Sequence, residues 1–344
     1  MPTLLRIPEV FTDIHPQILE KIGAQNPKPL GKDFYLTQNP ITIDRATHPA
    51  APFLSWHMPV QHAWPCHPPD IADFPEKAVQ ALAKKFAHHH PQSVLFSSLT
   101  AGAAQNRFRA IAKQMRARAI QLFAPHGALP ADEQSPTQPT VFALIGKQGL
   151  YAGHCTPAQA NGFHPGGRVF LNQSQVISRA GCKVVEALLR LPLHNITLPK
   201  NAHWLELGAS PGGMTAELLE RNFRVTAIDR AVLDPRIANH PQLHFHLADA
   251  ATFPVATSPQ YDALLCDMNG SSTEALDAIA RQVPALQKNG IIIFTLKGHS
   301  LTTLDDWLTQ EAKLQKQSKS LGLTIIDRVH LTHNRHELTL IWQK

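Results

Sequence analysis

Hydrophobic and polar positions alternate regularly in the second half of this chain. From about residue 200 onward, short apolar runs alternate with longer amphipathic stretches, an order that predicts a parallel, doubly wound α/β sheet. About five residues join the last two predicted strands, so we expect a hairpin whose final strand is antiparallel within a Rossmann-like, seven-stranded sheet. The predicted strands cover 203–208, 223–229, 243–248, 261–267, 290–296, 323–331 and 336–343, and the predicted helices cover 213–221, 272–287 and 302–320.

The first half of the chain has shorter and more mixed elements. Residues 51–170 predict a small α+β domain, and a turn at Gly166-Gly167 and a helix at 178–191 lead from it into the α/β domain, which we assign to 171–344. Residues 1–50 are polar and contain several prolines, so we assign no element to them. Within the α+β domain, the predicted helices are 75–88 and 103–123, and the predicted strands are 93–98, 141–145 and 150–155.

A glycine-rich turn after the first strand of the α/β domain carries the most specific chemistry. Glycine lets the backbone turn tightly and pass close to a ligand. A nicotinamide-binding turn ends G-x-x-G on a helix that carries the pyrophosphate, whereas this turn ends Pro-Gly-Gly and has an acid before its first glycine. That acid suits a phosphate-free cofactor with a cationic ammonium group, and S-adenosylmethionine is such a cofactor. The candidate cofactor residues here are Glu206, Gly208, Ala209, Ser210, Pro211, Gly212, Gly213 and Met214.

Acidic residues follow the next three predicted strands. Asp229 comes about twenty residues after the turn, where a carboxylate meets ribose hydroxyls, and Asp249 is our candidate for the adenine amino group. Asp267 ends the fourth strand. Ligands of an open α/β sheet bind beyond the carboxyl ends of its strands, so all three join the candidate cofactor site. An Asp in this position can instead serve only as a turn former or a helix cap.

A lysine ends the fifth predicted strand. Lys297 follows the apolar run 291–294, and a buried ammonium group is costly unless it is paired or used in catalysis. Asp267 is its candidate partner. Glu337 opens the last strand and could reach the same region, while Lys183 lies on the helix that leads into the domain.

These four residues resemble a known catalytic set. Lys183, Asp267, Lys297 and Glu337 occur in the order of the Lys-Asp-Lys-Glu tetrad of the FtsJ-like RNA ribose 2′-O-methyltransferases. Within that family, the chain is most similar to the enzymes that methylate a cytidine of bacterial 23S ribosomal RNA. The similarity covers 178–183, the turn 207–213, 266–268, 296–297 and the strand of Glu337.

The resemblance implies a cofactor, a substrate and a mechanism. The cofactor is S-adenosylmethionine, the substrate is RNA, and a ribose 2′-oxygen attacks the methyl group in line, with Lys297 as the candidate general base. A lysine titrates near pH 10.4, so this role needs a lowered pKa. Burial and the charge of Lys183 lower the pKa of Lys297, whereas Asp267 and Glu337 raise it, and the sequence does not give the sum.

The resemblance extends upstream and also has departures. Segments 140–143 and 151–153 look like the end of a THUMP domain, which is an RNA-binding module. Met214 stands where the family usually has an aromatic residue, and the region before the THUMP-like part is shorter than in the family.

Charge is distributed unevenly along the chain. Net charge is +6, but residues 77–185 contain twelve Lys and Arg against two acids, so this block carries +10 and the remainder −4. Such asymmetry is typical of a polyanion-binding surface, although a run of charges is by default a solvated helix face. The candidate RNA-binding residues are Arg107, Arg109, Lys113, Arg116, Arg118 and Arg179.

Composition argues against several other classes of protein. No apolar run has membrane-spanning length, and residues 1–12 lack the pattern of a secretion signal, so we expect a cytoplasmic protein. The four cysteines contain no C-x-x-C pair, and 88–90 are three consecutive histidines that would fan around a helix. We therefore expect reduced thiols and no metal site.

Other substrates remain open alternatives. A cytosine-C5 methyltransferase needs a Pro-Cys nucleophile and an exocyclic-amine enzyme carries Asn/Asp-Pro-Pro-aromatic, whereas this chain has Cys266-Asp267-Met268-Asn269. The chain could still act on another RNA such as tRNA, methylate a small molecule, or bind RNA without catalysis.

Overall fold

The computed structural model describes residues 1–99, 103–127, 135–163 and 176–344. The chain divides into two compact units: unit one comprises Met1–Ile43 and Phe53–Arg168, and unit two comprises Asp44–Pro52 and Val169–Lys344. The Gly166-Gly167 turn and the domain boundary predicted near residue 170 fall within 164–175, outside the described residues. The three-part domain assignment therefore stays a prediction.

Unit one begins with a four-stranded sheet, three of whose strands lie within residues 1–50, to which the sequence pattern assigned no element. Its strands follow the order β2-β3-β1-β4, and β1 is antiparallel to both of its neighbours. The pattern missed them because no strand exceeds four residues and the prolines lie at element ends or in connections. The elements are β1 (Thr3–Arg6), α1 (His15–Lys21), β2 (Lys28–Pro29), β3 (Phe34–Thr37) and β4 (Trp56–Pro59).

A second four-stranded sheet completes unit one, with the order β5-β8-β7-β6. Helices α2 and α3 pack on one of its faces through buried residues such as Phe86 and Met115, and the N-terminal sheet packs on the other through Leu4 and Trp56 against Phe142. The elements are β5 (His62–Trp64), α2 (Phe74–Phe86), β6 (Ser93–Ser98), α3 (Ala103–Phe123), β7 (Thr140–Gly146), β8 (Gly149–Cys155) and α4 (Pro157–Ala160).

Unit two contains the seven-stranded sheet, in the order β11-β10-β9-β12-β13-β15-β14. Strand β15 is antiparallel to both β13 and β14, so the expected terminal hairpin is confirmed. The elements are α5 (Gly181–Arg190), β9 (His203–Leu207), α6 (Gly213–Glu220), β10 (Arg224–Asp229), α7 (Pro235–Ala238), β11 (Leu243–Leu247), β12 (Tyr261–Cys266), α8 (Ser272–Gln282), β13 (Leu286–Lys297), α9 (Leu304–Ser320), β14 (Thr324–Val329) and β15 (Glu337–Gln343).

Three element boundaries in unit two differ from the expectation by more than two residues. The helix predicted at 272–287 ends at Gln282, and β13 begins at Leu286 instead of residue 290. Pro284 lies between them in a 3-10 turn, and proline cannot continue an α-helix because it has no backbone N–H. Helix α5 begins three residues later than predicted, because the chain first makes a turn in which Gly181 N–H donates to Ser178 O.

The segment Asp44–Pro52 packs with unit two although it precedes most of unit one in sequence. The Arg328 guanidinium donates to the backbone carbonyls of Arg45 and His48, and His330 N–H donates to the carbonyl of Pro52. Among the helices in the described ranges, none has both the length and the hydropathy needed to cross a membrane.

Candidate active site

The glycine-rich turn connects β9 to α6 at the carboxyl edge of the sheet. Gly208 and Gly212 have φ values of +81° and +105°, in the left-handed region that favours glycine. A Cβ atom on Gly208 would lie 2.9 Å from Met268 Cα, and one on Gly212 would lie 2.5 Å from Ile237 Cδ1. Both the backbone conformation and the available space therefore require glycine here.

Two of the predicted carboxylates lie beside this turn at the ends of neighbouring strands. Asp229 at the end of β10 accepts hydrogen bonds from the backbone N–H groups of Ser210 and Ala231, both at 2.8 Å. Asp249 follows β11, accepts from Ala251 N–H at 2.9 Å and pairs with Arg230. That backbone hydrogen bond and the Arg230 guanidinium lower the pKa of Asp249, so it is ionised at neutral pH.

Glu206 lies in β9 immediately before the turn and is only 2% exposed. The Thr215 hydroxyl donates to its Oε2 at 2.7 Å. Burial raises the pKa of Glu206 to about 8, with the charges of Asp267 and Asp229 adding to the effect and the Thr215 hydrogen bond opposing it. A cation placed beside this carboxyl group would favour its ionised form.

Ser178 lies against the same turn and was missed in the sequence. A Cβ atom on Gly213 would lie 2.0 Å from Ser178 Oγ, so the two residues are in direct contact. The hydroxyl oxygen is buried and has no hydrogen-bond partner among the described residues. A polar group in this state suits contact with a bound ligand. The only signal in the sequence was the position of Ser178, five residues before Lys183. That position does not by itself indicate a chemical role.

Met214 is 4% exposed and packs in the core of unit two with Leu218 and Leu233. Methionine can therefore replace an aromatic residue at position 214, because its flexible side chain fills irregular space in a core well.

The four predicted catalytic residues form a closed ring of ion pairs. Lys183 Nζ lies 3.2 Å from Asp267 Oδ2 and 2.6 Å from Glu337 Oε2, and Lys297 Nζ lies 2.5 Å from Asp267 Oδ1 and 2.9 Å from Glu337 Oε1. Each ammonium group contacts both carboxylates. We call this set the tetrad ring; its side chains are 8–13% exposed.

Three strands and one helix bring the tetrad ring together. Lys297 and Glu337 are paired in register at the end of the β13–β15 ladder, Asp267 directly follows β12, and Lys183 lies in the first turn of α5. In the antiparallel pair, the end of β13 meets the start of β15. Residues from opposite ends of two strands therefore share one edge of the sheet.

The lowered pKa that base catalysis by Lys297 requires is not found. Burial lowers the pKa of Lys297, but Asp267 and Glu337 outweigh it through charge and hydrogen bonding, so the pKa lies above its ordinary value. Burial raises the pKa of Glu337, but the charges and hydrogen bonds of Lys183 and Lys297 outweigh burial. The pKa of Glu337 therefore lies below its ordinary value. The ring therefore holds a charged Lys297 and a charged Glu337 at neutral pH.

The neighbouring cysteine is unsuited to nucleophilic catalysis. Cys266 is fully buried at the end of β12, and burial raises the pKa of its thiol to about 12. A thiol in this state contains a negligible fraction of the reactive thiolate at neutral pH.

The basic residues of α3 differ in how far they are available. Arg107 and Lys113 are exposed, and Arg109 and Arg116 are partly buried. Arg118 instead pairs with Glu76 of α2, with its Nε 2.8 Å from Oε2 and its NH2 3.0 Å from Oε1. Arg179, in unit two, is exposed.

The site and the sheet order define unit two as a methyltransferase fold. Residues 176–300, which include the turn and three members of the tetrad ring, match the family model of FtsJ-like methyltransferases.

Curated proteins that share one name are similar to parts of this chain. A ribosomal RNA large subunit methyltransferase M from Xylella fastidiosa is 30% identical over 171 residues, covering 47% of this chain and 46% of the relative. The protein of that name from Tolumonas auensis is 27% identical, covering 60% and 57%, and the one from Halorhodospira halophila is 41% identical, covering 26% of each. The aligned regions thus span between about a quarter and three fifths of these relatives.

Proposed function

We propose that this protein transfers the methyl group of S-adenosylmethionine to a ribose 2′-oxygen of RNA, with a cytidine of large-subunit ribosomal RNA as the target. The closed tetrad ring next to the glycine-rich turn is the observation that carries the proposal. The family match of 176–300 supports methyl transfer, and the names of the relatives support a ribosomal RNA substrate. Such a substrate is consistent with a cytoplasmic enzyme.

The residues around the turn fit the proposed cofactor. Gly208 and Gly212 give the turn the left-handed backbone conformation that bends it at the carboxyl edge of the sheet, and Asp229 and Asp249 offer carboxylates for the ribose and the adenine amino group. Glu206 and Ser178 offer an acid and an unpaired hydroxyl for the amino-acid end of the ligand. The cofactor supplies an electrophilic methyl group when it is bound.

The tetrad ring would orient the ribose and take up its proton. Lys297 donates to two carboxylates, so it is protonated at neutral pH and acts as a base only through its small unprotonated fraction. Asp267 and Glu337 hold its ammonium group in place, and the ring contributes mainly by positioning the attacking oxygen. If Lys297 is the base, the rate of transfer rises about tenfold per pH unit between roughly pH 7 and 9.

The exposed residues of α3 support RNA as the substrate. Arg107, Lys113 and the partly buried Arg109 belong to a block with few acids, which favours contact with phosphates. We propose that unit one contains the THUMP-like RNA-binding domain predicted for residues 51–170.

The test is incubation with labelled S-adenosylmethionine and total RNA that lacks its normal methyl groups, followed by separation of the RNA species and mapping of the label. Label at one cytidine of large-subunit ribosomal RNA is expected. Label confined to tRNA would redirect the target. No label in any RNA, together with no cofactor binding by calorimetry, would favour an RNA-binding protein without catalysis.

A further inference from the structure

Gly298 and His336, the residues next to Lys297 and Glu337, form hydrogen bonds with each other. If the proposed function is correct, these bonds affect the geometry of the tetrad ring. Lys297 and Glu337 form the last pair in the β13–β15 register. One position further out, Gly298 N–H donates to the carbonyl of His336 at 2.9 Å. His336 Nδ1 in turn lies 2.6 Å from the carbonyl oxygen of Gly298. Because a carbonyl only accepts, Nδ1 carries the hydrogen and donates it.

A buried tryptophan supports both members of this pair. Trp307 of α9 is 1% exposed, and its ring meets the His336 ring edge to face, with centroids 5.1 Å apart. A Cβ atom on Gly298 would lie only 2.0 Å from Trp307 Cη2. The indole thus fills the space beside both residues, and position 298 must be glycine.

The end of a strand pair needs such support. Terminal pairs of a ladder open more readily than central ones, because they have neighbours on one side only. Lys297 and Glu337 are the last pair, and their side chains must stay in the contact that joins Lys297 Nζ to Glu337 Oε1 at 2.9 Å. A displacement of about 1 Å in a catalytic group can reduce a rate about 100-fold.

We propose that His336 is a positioning residue for the tetrad ring. Its Nδ1–H bond to the Gly298 carbonyl, supported by Trp307, keeps the ends of β13 and β15 together and thereby fixes Lys297 against Glu337. His336 acts through its neighbours and does not itself touch the reacting atoms.

The test compares two substitutions of His336 in the full chain. His336→Phe keeps a ring beside Trp307 and removes the N–H donor, whereas His336→Asn keeps an N–H donor near the position of Nδ1. We expect His336→Phe to lower the single-turnover rate at saturating RNA about 10- to 100-fold, with the dissociation constants for cofactor and RNA changed less than about twofold. His336→Asn should restore the rate to within about threefold of wild type.

A measurement that does not depend on activity accompanies the rates. Amide hydrogen exchange of a peptide that spans 296–299 should be faster in His336→Phe than in wild type, and His336→Asn should restore it. Equal exchange in all three proteins would overturn the proposal, as would a wild-type rate in His336→Phe. If the wild-type protein methylates no RNA but the exchange pattern is as expected, the proposed function fails and the role of His336 in fixing the strand ends stands.

Discussion

Two ion clusters in unit two contain similar side chains in different surroundings. The tetrad ring balances two lysines against two carboxylates at the carboxyl edge of the sheet, with side chains 8–13% exposed. The second cluster, which we call the Asp327 cluster, centres on a fully buried carboxylate in β14. Its Oδ2 lies 2.6 Å from Arg190 Nε and 3.1 Å from His194 Nε2, and its Oδ1 lies 3.6 Å from Arg45 Nε.

The difference between the clusters separates a chemical role from a structural one. Burial alone would raise the pKa of Asp327, but Arg190, His194 and Arg45 hold it well below its usual range. Arginine does not lose its proton under ordinary conditions, which suits a structural role, and Arg45 connects the segment Asp44–Pro52 to the rest of unit two through Asp327. Lysine can exchange a proton, and the tetrad ring is partly open to solvent.

Loss of one tetrad lysine gives the largest expected effect. Lys297→Ala should reduce single-turnover methyl transfer about 10²- to 10⁴-fold, because the ring loses its candidate base and one of the two ammonium groups that contact both carboxylates. Calorimetry should give a cofactor dissociation constant close to that of wild type. Lys288→Ala, which removes an exposed lysine from the same strand, is the control and should be fully active. If Lys297→Ala transfers the methyl group as fast as the Lys288→Ala control, Lys297 takes no part in the reaction.

The same substitution in the two clusters should have opposite consequences. Asp327→Asn removes the buried negative charge that Arg190 and Arg45 contact and should lower the free energy of unfolding by about 3 kcal/mol. Asp267→Asn, at a carboxylate that is 13% exposed, should lower it by less than Asp327→Asn does, while reducing methyl transfer at least about 10²-fold. Urea titrations and single-turnover rates on both variants test this. The comparison fails if Asp267→Asn is the less stable of the two.

Glu206 gives a prediction for pH dependence. A carboxyl group whose pKa is higher in the folded than in the unfolded state binds its proton more tightly when folded, so stability falls as pH rises between the two values. The pKa of Glu206 is raised to about 8 by burial. Between pH 5 and pH 8 without cofactor, the free energy of unfolding of Glu206→Gln minus that of wild type should therefore rise by about 2 kcal/mol. This rise is within the limit of about 1.4 kcal/mol per pH unit for one group. Urea titrations of both proteins at several pH values measure this difference. A difference that does not change with pH would contradict a raised pKa for the buried Glu206 carboxyl group.

The surface arginines provide the smallest expected effect. Arg107→Ala and Lys113→Ala should each weaken RNA binding modestly and reduce the slope of log affinity against log salt by about 1. Arg118→Ala should change that slope less, because Arg118 is already paired with Glu76. Filter binding over a range of salt concentrations measures all three. Equal slopes for Arg107→Ala and Arg118→Ala would indicate that pairing within the protein does not reduce contact with phosphate.

Much of unit two was predictable because its sequence pattern is local. Strands β9, β10, β12 and β13 are largely buried apolar runs, and the short connection predicted between the last two strands indicated an antiparallel β15. Asp267 and Lys297 could be paired from the sequence because both follow neighbouring parallel strands. The ring geometry required the fold, since Lys183 and Glu337 are 154 positions apart.

The features that the sequence did not predict depend on tertiary contacts. The strands of residues 1–43 are too short to give a pattern, and they are stabilised by packing of Leu4 and Leu30 against Phe142. The raised pKa of Lys297 reflects a sum of opposing effects that only distances can decide. The role of Asp44–Pro52 in unit two was equally hidden, because Arg45 meets Asp327 across almost the whole chain.

The central claim is that the tetrad ring directs methyl transfer to a ribose 2′-oxygen, and the chemical position of the transferred methyl group tests it most directly. A methyl group on the 2′-oxygen removes the nucleophile that cleaves the adjacent phosphodiester in alkali. RNA labelled by the wild-type protein should therefore release its label in an alkali-resistant dinucleotide that begins with cytidine, and RNA treated with Lys297→Ala should release almost none. Label recovered in single nucleotides after alkaline hydrolysis would place the methyl group on a base and contradict the account.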